Sequence, residues 1–205
     1  MNEIRLTSEK RLRLITGRAH PEFAEGVAAE LGIPITPTSA FDFANGEIFV
    51  RFEESVRGSD AFVIQSHSAP VNKQIMEQLI MVDALKRASA KRITVVAPFY
   101  GYARQDKKHR GREPISARLV ADLLKSAGAD RIVSVDLHTD QIQGFFDCPV
   151  DHLYGAPILD DYFRSLNLPT NNLVVVSPDE GSIKRSLQHV DHLGGSFAIV
   201  DKRRA

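Results

Sequence analysis

The 205 residues carry 26 Lys+Arg against 26 Asp+Glu, with 43% hydrophobic and 25% charged residues. This is the composition of an ordinary globular protein; the even charge argues against a large nucleic-acid footprint, and no apolar run is long enough to span a bilayer. The single cysteine, Cys148, excludes an internal disulfide framework, and the charged opening MNEIRLTSEKRLRL lacks the apolar core of a secretory signal, so a cytoplasmic location is expected.

Short apolar runs alternate with amphipathic segments along the chain. Leu12 to Thr16 reads as a strand, and Pro21 to Leu31 as a helix with proline in its first turn. Asn45-Gly46 is a turn signal between Phe41-Asp42-Phe43 and the alternating run Glu47 to Phe52. Ala61 to Gln65 reads as a strand, and Val71 to Ala88 as a helix with Ile75, Leu79, Val82 and Leu85 on one face. The pattern then predicts strand 93–97, helix 115–127, strand 131–136, helix 156–166, strand 173–177, helix 180–193 and strand 196–200. A βαβα rhythm with Val/Ile-rich strands implies an α/β fold, a parallel sheet with helices on both faces. The stretch Cys148 to Pro157 is the best candidate boundary, dividing residues 1–150 from a shorter part, 151–205, whose two clear strands and two helices are thin for a core of their own.

Two loops concentrate the chemistry. Between Arg104 and Arg112 lie Arg104, Lys107, Lys108, Arg110 and Arg112, opposed only by Asp106. A basic cluster on a neutral chain, in the loop after a strand's carboxyl end, suits a particular polyanion such as a polyphosphate, because Arg offers a planar fork and Lys a mobile point charge. A solvated charged loop is the competing reading. The second loop follows strand Ile132 to Val135 and opens with Asp136 and His138.

YARQDKK at 102–108 and DLHTDQIQGFFDCPVDHL at 136–153 closely resemble the ribose-phosphate diphosphokinases, also called phosphoribosyl pyrophosphate synthetases. The resemblance runs from about Leu14 to Arg204 and includes FANGE at 43–47, MVDALKRASAKRI at 81–93, ISARLVADLL at 115–124, SPDEG at 177–181 and DKRR at 201–204. It implies two similar phosphoribosyltransferase-like domains, the first complete here and the second expected to be incomplete. It implies transfer of the β,γ-diphosphoryl group of ATP to ribose 5-phosphate, giving 5-phosphoribosyl 1-diphosphate and AMP, with Mg²⁺ as cofactor. By resemblance Arg104, Gln105, Lys107 and Lys108 hold ATP, and Phe43, Asn45 and Glu47 recognise adenine from a hairpin that reaches into a neighbouring subunit. An aromatic face, an amide and a carboxylate suit a purine with an exocyclic amine, although Phe43 is equally readable as core and Asn-Gly as a plain hairpin turn. His138 and Asp179 become ligands of the nucleotide-bound magnesium, and Lys202 and Arg204 the catalytic pair that stabilises charge on the transferring group. Self-association is implied as well, as hexamers in the family.

Two features depart from the family's pattern. Ser182 stands where a second glycine is common in SPDxGG, and His67 stands where a small hydroxyl residue is expected. The family's later 5-phosphate loop, an acidic pair followed by a Thr-Ala-Gly-Thr type turn, has no counterpart in these 205 residues. The expectation is therefore either a fragment of a longer enzyme or a shortened relative, and the rival to an enzyme is a non-catalytic relative that binds nucleotide or partner subunits.

Overall fold

The structure is a computed structural model that describes residues 11–200. Its strands are β1 (Leu12–Thr16), β2 (Thr38–Asp42), β3 (Ile48–Phe52), β4 (Asp60–Ile64), β5 (Arg92–Ala97), β6 (Arg131–Val135), β7 (Val150–Leu153), β8 (Val174–Ser177) and β9 (Ser196–Ile199). Its helices are α1 (Pro21–Leu31), α2 (Val71–Arg87), α3 (Ser116–Ala127), α4 (Ala156–Ser165) and α5 (Ile183–Leu193), with 3-10 turns at Asp140–Phe145, Thr170–Asn172 and Glu180–Ser182. Two compact units divide the chain, one running to Leu153 and the other starting at Tyr154.

The first unit is a five-stranded sheet in the order β1-β4-β5-β6-β7, parallel throughout. Alternation along each strand sends side chains to opposite faces. On one face Ile15, Val63, Val95 and Ile132 meet the buried faces of α2 (Met81, Val82, Leu85) and α3 (Val120, Ala121, Leu124). On the other, Leu14 and Ile64 meet Ala24 and Ala28 of α1. The helices therefore do cover both faces. Ile35, just after α1, forms a parallel bridge with Leu14 at the outer edge of β1. The chain thus leaves β1 in one direction through α1, and later runs the opposite way from β4 to β7. Right-handed crossovers in opposite directions put their helices on opposite faces.

Strand β7 extends the sheet beyond the apolar runs that mark the other strands. Its sequence, VDHL, pairs only with β6 and sits at an edge, where an apolar run is unnecessary. The boundary expected at residue 150 therefore falls on the first residue of β7, and the compact unit extends to Leu153.

Strands β2 and β3 form an antiparallel hairpin, with Thr38 opposite Phe52, Ala40 opposite Val50 and Asp42 opposite Ile48. Val50 and Phe52 pack against the main core. Phe41, Phe43 and Phe49 form a separate aromatic cluster; Phe41 stacks on Phe49 with ring centroids 4.8 Å apart, and Phe43 meets Phe41 edge-on at 5.3 Å.

In the second unit β8 and β9 pair in parallel and pack with α5. The buried Asp160 carboxylate joins α4 to α5 by accepting from His189 Nδ1 at 2.5 Å and His192 Nδ1 at 2.7 Å. Burial raises the Asp160 pKa, but the two histidine bonds outweigh it, and the group sits below the usual carboxylate range.

Candidate active site

The basic loop leaves β5, and the His138 loop leaves the neighbouring β6, so both lie at carboxyl ends of adjacent parallel strands. That edge is where open α/β sheets take ligands. Arg104, Gln105, Lys107, Lys108, Arg110 and Arg112 are all exposed, as is His138.

Behind the exposed charges lies a dense set of tethers. Asp106, the carboxylate among the cations, is buried and accepts from Thr139 Oγ1 at 2.7 Å, tying one loop to the other. Ser134 Oγ donates to Ala97 O at 2.8 Å between the strand ends. At the far side of the basic loop, Ala117 N–H donates to Gln105 O at 3.2 Å and Ser116 Oγ donates to Gln105 Oε1 at 2.5 Å. Tyr100 OH donates to Ala117 O at 2.9 Å, and burial pushes this phenol well above its usual range. Glu113 accepts from the backbone N–H groups of His109 and Arg110 at 2.7 and 2.9 Å. Those bonds, led by the one from Arg110, hold its pKa below the usual carboxylate range and close the loop's end. Tyr102 (φ 61) and Asp136 (φ 46) take left-handed backbone conformations where the loops turn off their strands. Non-glycine residues in that region cost free energy that the surrounding structure must supply.

His67 proves to be a support of this loop. It is fully buried, its Nδ1 accepts from Gly101 N–H at 3.0 Å, and its backbone N–H donates to Phe99 O at 3.0 Å. Nε2 lies 2.7 Å from Gln78 Oε1, and the Gln78 amide donates to Val63 O, so Nε2 carries the proton. Burial pushes the His67 pKa down to about 4, so the ring is neutral at pH 7. Gly101 packs closely here: a Cβ would stand 3.0 Å from both His67 Cβ and Ile75 Cδ1, so those side chains would have to give by a few tenths of an ångström. His152 plays a similar part beneath His138, its Nε2 accepting from Leu137 N–H at 2.9 Å. Neither histidine has a local sequence signal, because each acts on a residue more than ten positions away. Nothing short of the folded topology reveals them.

The hairpin tip spans Phe43 to Glu47. Gly46 N–H donates to Phe43 O at 2.8 Å, Phe43 N–H to Glu47 O at 2.8 Å, and Glu47 N–H to Asn45 Oδ1 at 3.1 Å. Gly46 takes φ 89, which only glycine adopts easily. Asn45 thus spends its side-chain oxygen on the turn, whereas Phe43 and Glu47 present exposed side chains. In the second unit Asp179 is exposed and its Oδ1 accepts from Ser182 N–H at 3.0 Å, capping the turn into α5. Ser182 therefore fits its position as a backbone donor. Lys202 and Arg204 lie outside the described residues.

Among the described residues no group of three or more His, Cys, Asp or Glu side chains could hold a metal ion. Mg²⁺ prefers oxygen, keeps several waters and commonly shares phosphate oxygens. The exposed imidazole of His138, with no caging carboxylates grouped around it among the described residues, fits an ion that arrives on a triphosphate rather than one caged by protein. No helix among the described residues is long and apolar enough to cross a membrane.

The unit is a parallel α/β sheet with a basic loop and a histidine loop at the carboxyl ends of neighbouring strands, the edge at which open sheets of this class take ligands. Residues 12–128 match the profile of the N-terminal domain of ribose phosphate pyrophosphokinase, and the chain belongs to that family. It is 64% identical over 204 residues to the ribose-phosphate pyrophosphokinase of Streptomyces coelicolor, covering 100% of this chain and 63% of the relative. It is 66% identical over 198 residues to that of Mycobacterium tuberculosis, covering 96% of this chain and 60% of the relative. The crystal structure of phosphoribosylpyrophosphate synthetase from Mycobacterium smegmatis superposes with a TM-score of 0.91 at 64% identity, over 96% of this chain and 66% of that one. The chain thus spans roughly three fifths of the length of the curated relatives it matches.

Proposed function

We propose that the chain binds Mg·ATP over the carboxyl ends of β5 and β6 and serves transfer of the β,γ-diphosphoryl group of ATP to ribose 5-phosphate, yielding 5-phosphoribosyl 1-diphosphate and AMP. The observation that carries the reading is the basic loop, held beside His138 by the Asp106–Thr139 bond, in a chain of this family. Diphosphoryl transfer depends on neutralising and aligning phosphate oxygens far more than on covalent help from the protein. Arg104 supplies a planar fork to phosphate, Gln105 a side-chain amide, and Lys107 and Lys108 mobile point charges. Phe43 offers an aromatic face to adenine, with Glu47 as acceptor for the exocyclic amine and Asn45 shaping the turn between them. In the first unit His138 is the proposed contact of the nucleotide's Mg²⁺, which would supply charge neutralisation at the phosphates; in the second unit Asp179 is separately a candidate Mg²⁺ ligand. Lys202 and Arg204 are proposed to stabilise charge on the group in flight. Phe41 and Phe43, both exposed at the hairpin, favour self-association in which the tip serves a neighbouring copy. A cytoplasmic setting fits substrates of this kind.

Calorimetric titration of Mg·ATP into wild type and Arg104→Ala tests the reading. Loss of a charge-assisted bond to phosphate costs about 1.5–3 kcal/mol, so affinity should fall about ten- to a hundredfold. Equal affinities remove Arg104 from the site. AMP release that depends on ribose 5-phosphate tests the reaction itself.

A further inference from the structure

The sheet changes winding direction between β1 and β4, and the crevice there is filled by a buried polar network. Glu77 of α2 is fully buried. Its Oε1 accepts from the backbone N–H of Arg18 at 2.7 Å, and its Oε2 from Arg18 Nε at 2.7 Å. Gln65, at the end of β4, donates from Nε2 to Glu77 Oε1 at 3.1 Å and accepts from Ala19 N–H at 3.1 Å. Gly17 makes this possible: a Cβ there would stand 2.2 Å from Gln65 Oε1. The guanidinium of Arg18 is thereby fixed in place, and its Nη2, which also pairs with Glu77 Oε2 at 2.5 Å, reaches out to Asp42 Oδ1 at 2.6 Å. Lys73, from the first turn of α2, takes the other oxygen, Oδ2, at 2.5 Å.

Asp42 is the last residue of β2, next to Phe43. The hairpin has only two strands, and an isolated pair of strands is marginal in water. Along its inward face Val50 and Phe52 pack on the core. Asp42 stands on that same face, across from Ile48 and nearer the tip, while Phe41 and Phe49 alternate to the other side. Two cations on one carboxylate fix both position and rotation, because each oxygen has its own donor. Those bonds, Lys73 first and then Arg18, hold the Asp42 carboxyl below its usual range, so the clamp persists across neutral pH.

We propose that Asp42, clamped between Arg18 and Lys73, is a positioning residue that aims the Phe43–Glu47 tip at the base of a bound nucleotide. The inference rests on the nucleotide-binding reading above and extends it to base selectivity. Glu77 and Gln65 act behind it, turning a buried network of the sheet into a fixed mount for an exposed recognition hairpin.

The test uses the full chain with two probes, Mg·ATP and Mg·tripolyphosphate, the second having phosphates and no base. Asp42→Asn should weaken ATP about three- to tenfold, the cost of ordering a loosened loop on binding, and leave tripolyphosphate unchanged. Asp42→Glu, which keeps the charge, should restore part of the loss, and Lys73→Met should repeat it. Amide exchange gives a readout that needs no ligand: Phe43 and Gly46 N–H should exchange faster in Asp42→Asn while Leu124 in α3 does not. Unchanged exchange at Phe43 and Gly46 overturns the clamp, as does an equal loss of both probes. ATP affinity unchanged in Asp42→Asn but reduced in Phe43→Ala overturns the positioning role and leaves the hairpin's part in binding intact. ATP affinity unchanged in Phe43→Ala sinks that part, and the positioning role with it.

Discussion

Thr139 Oγ1 donates to Asp106 Oδ2 at 2.7 Å, a single bond that joins the loop after β5 to the loop after β6. Asp106 is the carboxylate inside a cluster of five cations, yet it faces inward, so the cluster's outward charge is undiluted. Thr139→Val removes the donor without changing the shape of the side chain. The buried carboxylate loses its partner, which costs roughly 1–3 kcal/mol. We expect lower stability in urea and weaker Mg·ATP binding together, since the bond sets the spacing between Arg104 and His138. In a double-mutant cycle Asp106→Asn and Thr139→Val should couple by about 0.5–1.5 kcal/mol. Strictly additive effects would show that the two loops are held apart from each other by other means.

His67 predicts an acid-sensitive core. Its pKa in the folded protein is pushed down to about 4 by burial, against an ordinary value near 6.5 in the unfolded chain. The folded state therefore resists taking a proton that the unfolded state accepts. Its contribution is fully present above pH 6.5 and is lost as the pH falls toward 4, amounting to roughly 3 kcal/mol over that window. Urea unfolding followed by circular dichroism at pH 7 and pH 4.5 measures the loss. In His67→Gln most of that difference should vanish, whatever the variant's own stability at pH 7. The same steepness in wild type and variant would place the titrating group elsewhere.

The parts of the fold that sequence reveals are those whose residues answer to local rules. Strands β4, β5 and β6 are apolar because both faces are covered, and such runs stand out. The basic loop stands out because its charge differs from that of the rest of the chain. Helix α2 shows where this stops. Hydrophobic spacing selects Ile75, Leu79, Val82 and Leu85, of which Leu79 is half-buried and the others buried, but Gln74, Glu77 and Gln78 are buried as well. A pattern that counts polar residues as solvent-facing cannot find them, because their partners, Arg18, Gln65 and His67, lie on other elements. Strand β7 is missed for a related reason: Asp151 sits within it, ion-paired with Arg131 of β6 at 2.7 Å. Asn45 reads correctly as a turn residue, and the hydrogen bond from Glu47 N–H shows why.

Gly17 offers a sharper test of the network than its charged members, because its substitution adds nothing but a methyl group. The side chain of Gln65 occupies the space that a Cβ at residue 17 would take, with Cδ 2.3 Å and Nε2 2.7 Å from it. Gly17 N–H donates to Ile64 O at 2.9 Å, so the backbone cannot readily step aside. In Gly17→Ala the amide of Gln65 must swing away, abandoning Ala19 N–H, Gln74 Oε1 and Glu77 Oε1. Buried polar groups left without partners cost roughly 1–3 kcal/mol each, and overpacking adds about as much again. We expect a large drop in the urea midpoint for Gly17→Ala. The double variant Gly17→Ala with Gln65→Ala should lie close to Gln65→Ala alone, because the clash has gone and the loss of the amide is already counted. If Gly17→Ala is as stable as wild type, Gln65 has a second resting place, and the network's hold on Arg18 does not depend on it.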